Sequence, residues 1–252
     1  MPMWLLGLSL VVAMGLSGLV AANELVDPLD SPGWRWMQAR YFADQTVRFD
    51  NRVQVLLPAS AEDALQVPVM VQVQELEPTE ILVFADLNPI TTILRYYPVV
   101  AEPRIGFRFK VQQGTPVRAA VRTADGVWHV GGAWLEASGG GCTAPSFGTG
   151  GGRWQDRFAE VAARTWERGA TQKRLRYRVI HPMDTGLADG IPAFFIERTE
   201  FRSAQEGMLL ARLETFEPIS EDPIFTLDLN TAQAINISGR DTQGNRFHAE
   251  VP

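Results

Sequence analysis

Apolar and polar positions alternate with a period of two in Val67-Pro68-Val69-Met70-Val71-Gln72-Val73 and in Gly106-Phe107-Arg108-Phe109-Lys110-Val111. Such alternation marks strands with one face on a core and one in water. Comparable β-rich runs at 53–57, 81–85, 104–110, 117–123 and 127–134 are separated by Pro, Gly and Asp clusters. Asp125-Gly126, between two of them, is a strong hairpin signal. A second series follows at 175–180, 193–201, 208–213, 224–229, 234–238 and 247–251. Evenly spaced short strands without interleaved helices imply antiparallel sandwiches or barrels, so the chain reads as two all-β domains.

Two segments carry helical spacing instead. Ser31-Pro32 followed by Trp34, Trp36, Met37, Tyr41 and Phe42 predicts a short amphipathic helix whose aromatics cover the first core. Trp154, Phe158, Val161, Ala162 and Trp166 predict a second helix over 153–166, stopped by Gly169.

Between the two strand series, residues 139 to 152 are half glycine, seven of fourteen, and they carry Cys142, the one cysteine of the chain. A lone cysteine has no intramolecular disulfide partner, and a glycine-rich coil has little chance of burying a side chain. The expectation is an exposed, mobile thiol on a tether whose flexibility comes from Gly139, Gly140 and Gly141. Catalytic cysteines need a rigid base and oxyanion donors, whereas a tethered thiol can be offered to several enzymes in turn. This pattern suits a carrier rather than an enzyme. An odd thiol also leaves a Cys142-to-Cys142 disulfide dimer open.

Composition narrows the rest. The chain has 252 residues, 46% hydrophobic and 21% charged, values ordinary for a folded protein. A net charge of −6 argues against nucleic acid or anionic lipid held by bulk electrostatics. The first charged residue is Glu24, and 5–20 is apolar apart from Gly and Ser. Residues 1–22 therefore read as a Sec-type signal peptide cleaved before Asn23, which leaves no membrane segment and places the mature chain in a periplasm. The expected organisation is a signal peptide at 1–22, a first sandwich with its helix at 23–138, a tether with linker helix at 139–172, and a second sandwich at 173–252.

Charge is unevenly distributed. Residues 153 to 178 hold eight Arg or Lys against three acids. A solvated helix face and strand edge explain this; the functional alternative is a cationic rim that attracts an anionic adduct or acidic partner and lowers the thiol pKa. His181 lies three residues from Asp184, a spacing that suits a turn with Asp184 capping local backbone better than an acid–base pair. The three His, at 129, 181 and 248, lack metal-ligand spacing, and no phosphate-binding glycine motif follows a strand. No metal and no cofactor are expected.

Two stretches resemble a known family. His181-Pro182-Met183-Asp184-Thr185-Gly186 fits the signature of the Z subunit of the bacterial sulfur-oxidation (Sox) carrier, and Ile191 to Ile196 and Asn245 to Glu250 lie where that family has matching strands. Ala101-Glu102-Pro103, Val117-Arg118-Ala119-Ala120-Val121 and Gly140-Gly141-Cys142 are similar to the Y subunit. The resemblance implies two immunoglobulin-like β-sandwiches that pair, with Cys142 as the covalent attachment residue for sulfur intermediates. It implies partners among periplasmic redox enzymes of sulfur oxidation. The fused order resembles SoxYZ-like carriers associated with quinoprotein dehydrogenases, which implies as an alternative a non-catalytic accessory to such an enzyme. Thr143-Ala144-Pro145 follows the cysteine where the family has a Gly-Gly-Cys-Gly-Gly tail at a free carboxy terminus, so the arm is tethered at both ends and its reach is expected to be shorter.

Overall fold

The computed structural model describes residues 25–146 and 154–252. The first half contributes α1 (Trp34–Phe42), β1 (Val47–Phe49), β2 (Val53–Leu56), β3 (Val67–Val73), β4 (Pro78–Ala85), β5 (Thr92–Pro98), β6 (Ala101–Phe109), β7 (Thr115–Thr123) and β8 (Trp128–Leu135). The second contributes β9 (Val161–Glu167), β10 (Lys173–Val179), β11 (Ile196–Ser203), β12 (Leu209–Thr215), β13 (Ile224–Leu229), β14 (Ile235–Asp241) and β15 (Arg246–Val251). The all-β expectation holds, with sandwich-like halves. The 1–22 leader lies outside the described residues.

The halves are joined by more than the tether. One nine-stranded sheet runs β1-β8-β7-β4-β5-β12-β11-β14-β15, and one six-stranded sheet runs β2-β3-β6-β13-β10-β9. Both cross from the first half to the second, at the antiparallel ladders β5–β12 and β6–β13. Pairing these strands leaves neither half with an open edge at the seam, where unpaired backbone groups would invite association. The inward residues follow the two-residue period: Val67, Val69, Val71 and Val73 of β3 are buried, as are Ile105, Phe107 and Phe109 of β6. They meet Leu175, Tyr177, Phe225 and Leu227 of the second half in one hydrophobic cluster. Each such side chain contributes roughly 1.5–3 kcal/mol by leaving water, so the seam is part of the core.

On the outer face of the nine-stranded sheet, Trp34, Met37 and Phe42 of α1 bury against Leu82, Phe84, Ala120, Trp128 and Val130, as expected of a covering helix. Trp36 is the exception, pointing to solvent at 79% exposure. Under this helix Arg118 is fully buried. Its Nε lies 3.0 Å from both Asp86 oxygens, its Nη2 is 2.7 Å from Asp27 Oδ2, and its guanidinium is stacked 4.7 Å above Trp34. Asp27 thereby ties the segment before α1 to the sheet.

Three departures from the sequence reading concern secondary structure. The helix expected over 153–166 is a 3-10 turn at Trp154–Arg157 followed by β9; Arg153 lies outside the described residues. From Val161 onward the residues also satisfy a two-residue period, and a free edge on β10 offers backbone partners from Lys173↔Glu167 to Val179↔Val161. Strands β1 and β5 were not anticipated: β1 is three residues long and pairs parallel to β8, and β5 follows Pro89 closely and ends on Pro98.

Candidate functional site

The cysteine arm leaves β8 at Leu135 and folds back across the end of the sandwich where β6 finishes and β3 and β13 begin. Gly141 N–H donates to Val111 O at 3.0 Å, and Val111 N–H donates to Ala64 O at 2.8 Å. A side chain at Gly141 would place its Cβ 2.1 Å from Ala64 O and 2.7 Å from Val111 O. Gly139 has φ +101° and presses on Gln112 O in the same way. These glycines let the arm's backbone lie directly on other backbone. Gly140, φ +93°, faces open space.

Cys142 is therefore buried, with 0% exposure, where composition led us to expect an exposed and mobile thiol. Its N–H donates to Gln112 Oε1 at 3.2 Å, and its Sγ lies 3.5 Å from Lys110 O. Asn88 organises this floor, donating from Nδ2 to Lys110 O at 3.0 Å and accepting from Gln112 N–H at 3.0 Å. Burial pushes the Cys142 thiol up to about 11, with the Lys110 ammonium opposing the shift. A thiol held there is a poor nucleophile at neutral pH.

The second half supplies the roof. Thr185 Oγ1 donates to Cys142 O at 2.6 Å and accepts from Leu187 N–H at 3.2 Å. Asp184 Oδ1 accepts from Ser146 N–H at 3.3 Å, and Met183 O accepts from Lys110 Nζ. Three successive residues, Met183, Asp184 and Thr185, thus hold the cysteine arm or its floor. Lys110 is 3% exposed, and burial lowers its pKa against the pull of Asp184, the Cys142 thiolate and Glu221.

His181 organises this segment from within. Its N–H donates to Asp222 Oδ1 at 3.0 Å, its Nδ1 accepts from Met183 N–H at 3.1 Å, and its Nε2 lies 3.5 Å from Asp241 Oδ2. The ring packs at 4.5 Å from Phe194, whose backbone exchanges two hydrogen bonds with Asp184. Burial lowers its pKa to about 4, with Asp241, Asp184 and Asp222 opposing, so the ring is neutral and accepts at Nδ1. His181 and Asp184 do not form an acid–base pair, in keeping with the turn reading.

The arginine-rich stretch does not rim the thiol. Arg174, Arg176 and Arg178 point outward from β10, with Arg174 paired to Asp228 at 2.7 Å and Arg178 to Asp222 at 2.6 Å. The lowered thiol pKa that the functional alternative required is not found: burial raises it. Among the described residues no group of three or more His, Cys, Asp or Glu is arranged to hold a metal ion. Sequence reasoning gave no role to Lys110, Asn88, Gln112 or Thr185, although Thr185 stands in the His181–Gly186 signature. For the other three the one available signal was a lysine between Phe109 and Val111, a cation amid an apolar run.

Residues 38–142 match the family described as sulfur oxidation protein SoxY, and residues 166–252 match sulphur oxidation protein SoxZ. The SoxY match ends on Cys142, and the SoxZ match contains the whole His181–Gly186 segment. Among solved structures, the sulfur carrier protein SoxY from Chlorobium limicola f thiosulfatophilum is 17% identical over 41% of this chain and 90% of its own, with TM-score 0.37. A marsupial T cell receptor is 7% identical over 79% and 99%, with TM-score 0.27. No curated protein matches the chain. With the SoxY and SoxZ domains following one another on a single polypeptide, the chain belongs to the fused SoxYZ-like sulfur-oxidation carriers.

Proposed function

We propose that this protein carries a sulfur-containing intermediate covalently on Cys142, in the periplasm after removal of residues 1–22, and presents it to sulfur-oxidation enzymes. In this reading 23–138 is the first sandwich, the arm and its linker run from 139 to the start of β9 in place of the expected 139–172, and the second sandwich begins with β9 and not at 173. The observation that supports it most is the clamp: the SoxZ half spends Thr185 and Asp184 on the backbone around the lone cysteine of the SoxY half. A merely structural cysteine needs no such second-domain grip on its main chain.

The docked arm is the resting state, and loading follows its release. Attack of the Cys142 thiolate on the S–S bond of a sulfur donor forms a new S–S bond to Cys142. The donor's other sulfur leaves as a thiolate and takes up the proton that Cys142 gave up, so no external oxidant is needed. Lys110 stands beside the site as the cation for an anionic adduct.

Intact mass spectrometry of the mature protein, taken from its own host under thiol-blocking conditions with peptide mapping at Cys142, tests this. A reducible mass addition confined to Cys142 is expected, and the same spectrum reads the cleavage site. An unmodified thiol during growth on reduced sulfur and on alcohols overturns the carrier reading and returns the accessory role beside a quinoprotein dehydrogenase.

A further inference from the structure

The outward residues of the six-stranded sheet line up in a row across all six strands. Leu56 of β2 faces Met70 of β3, which faces Gly106 of β6, then Thr226 of β13, Arg176 of β10 and Arg164 of β9. Nearer the cysteine end, Pro68 faces Arg108, and Ile224 faces Arg178. The face is thus an apolar groove floored by Leu56, Met70 and Ile224, with arginines on both banks. Arg108, Arg164 and Arg176 are exposed, and with Arg104 they make no ion pair among the described residues. Arg104 Nε instead lies against Met70 Sδ, and Arg164 lies 5.1 Å over the half-exposed Trp166 ring.

Two features mark this face as more than solvated surface. It is cationic on a chain of net charge −6. Arg176 and Arg164 are also direct cross-strand neighbours, and like charges so placed destabilise a sheet unless something outside neutralises them. Arginine and tryptophan around an apolar floor are the residues that dominate protein interfaces. A second copy of this chain is a poor occupant, because a two-fold contact brings two copies of the same cationic face together.

We infer that this face docks an acidic surface of the enzymes that load or unload Cys142, an inference that rests on the carrier reading above. It spans both halves, so the partner reads the SoxY-like and SoxZ-like domains at once. It also ends beside the arm: Arg108 is two residues before Lys110, whose carbonyl meets the Cys142 thiol.

The test places benzoylphenylalanine at position 226, in the middle of the row, and at position 36, on the far face, in the native host. Irradiation should cross-link position 226, and not position 36, to a protein whose linked peptides are rich in Asp and Glu. The purified cross-linked protein should bind the R164E/R176E variant at least tenfold more weakly than the parent, and bind the parent more weakly as salt rises. The melting temperature of the variant should be unchanged, since both side chains are exposed. Equal cross-linking at the two positions, cross-links to lipid, nucleic acid or a second copy, or undiminished binding by R164E/R176E overturns the inference. The Cys142 mass addition is read in the same samples, so its absence marks failure of the carrier reading separately.

Discussion

The Thr185 clamp makes a quantitative prediction about cysteine reactivity. A thiol held near pKa 11 is about 10⁻⁴ thiolate at pH 7, against roughly 3% for a free cysteine of pKa ~8.5. Alkylation of the native protein therefore proceeds through the undocked arm. Thr185→Val keeps the side-chain shape and removes the hydroxyl that donates to Cys142 O and accepts from Leu187 N–H. The buried Cys142 carbonyl loses its partner, at a cost of about 1–3 kcal/mol to the docked state. At 1.4 kcal/mol per decade, the undocked population rises roughly 5- to 150-fold. Iodoacetamide labelling followed by intact mass is unambiguous because the chain has one cysteine. The expected result is an alkylation rate at least fivefold faster in Thr185→Val, and a parental rate in Thr185→Ser, which keeps the hydroxyl. Docking favours the protonated thiol, so it is intact below the free pKa and weakens as pH rises from about 8.5 towards 11. The contrast between Val and Ser should shrink over that range. A parental rate in Thr185→Val, or equal acceleration in Thr185→Ser, would refute the clamp.

The other predictions concern stability. His181 has a folded pKa near 4 against ~6.5 unfolded, so its contribution is complete above pH 6.5 and is lost as pH falls towards 4, amounting to roughly 3 kcal/mol. His181→Asn, with an amide oxygen to receive Met183 N–H, should lose less melting temperature between pH 7 and 5 than the parent; a parallel loss would assign the acid sensitivity elsewhere. Arg118→Met strands Asp27 and Asp86 without their counter-charge, and urea unfolding should show a loss of about 3–5 kcal/mol. Recovery of most of that loss in Asp27→Asn/Asp86→Asn/Arg118→Met is expected, and a single-variant loss under about 1 kcal/mol contradicts the buried network.

What the sequence disclosed followed from how local each signal was. Valines at 67, 69, 71 and 73 state their strand and its inward face without reference to anything distant. Asp125-Gly126 gives its hairpin in two residues, with Gly126 at φ +82°. Strand β9 was ambiguous because Val161 to Trp166 fits periods of both two and 3.6; what decides is the vacant edge of β10, which no local window contains. The arm shows the same limit more sharply. Glycine content says a chain can flex, but whether it does depends on surfaces it meets, here Ala64 and Gln112, contributed from elsewhere in the chain. The general tendency of free cysteines to be buried held in spite of the glycines. The continuous sheets were equally hidden, since a ladder between β5 and β12 joins residues more than a hundred positions apart.

Two contour lengths bound the reach of an arm tethered at both ends. From Leu135, the last residue of β8, seven peptide units lead to Cys142, an extended length of about 23–25 Å. From Cys142 to Trp154, the next described residue, there are twelve units, or about 40–43 Å. Trp154 packs on Phe194, which pairs with Asp184 in the very segment that clamps the arm. Both anchors thus flank the same end of the sandwich, and the shorter side alone limits how far the thiol can travel. On these lengths the second anchor is not the limiting one. What fusion adds is permanence: the residues that hold the cysteine at rest belong to the same chain as the arm, so the clamp re-forms at a rate set by the tether and not by the concentration of a second subunit.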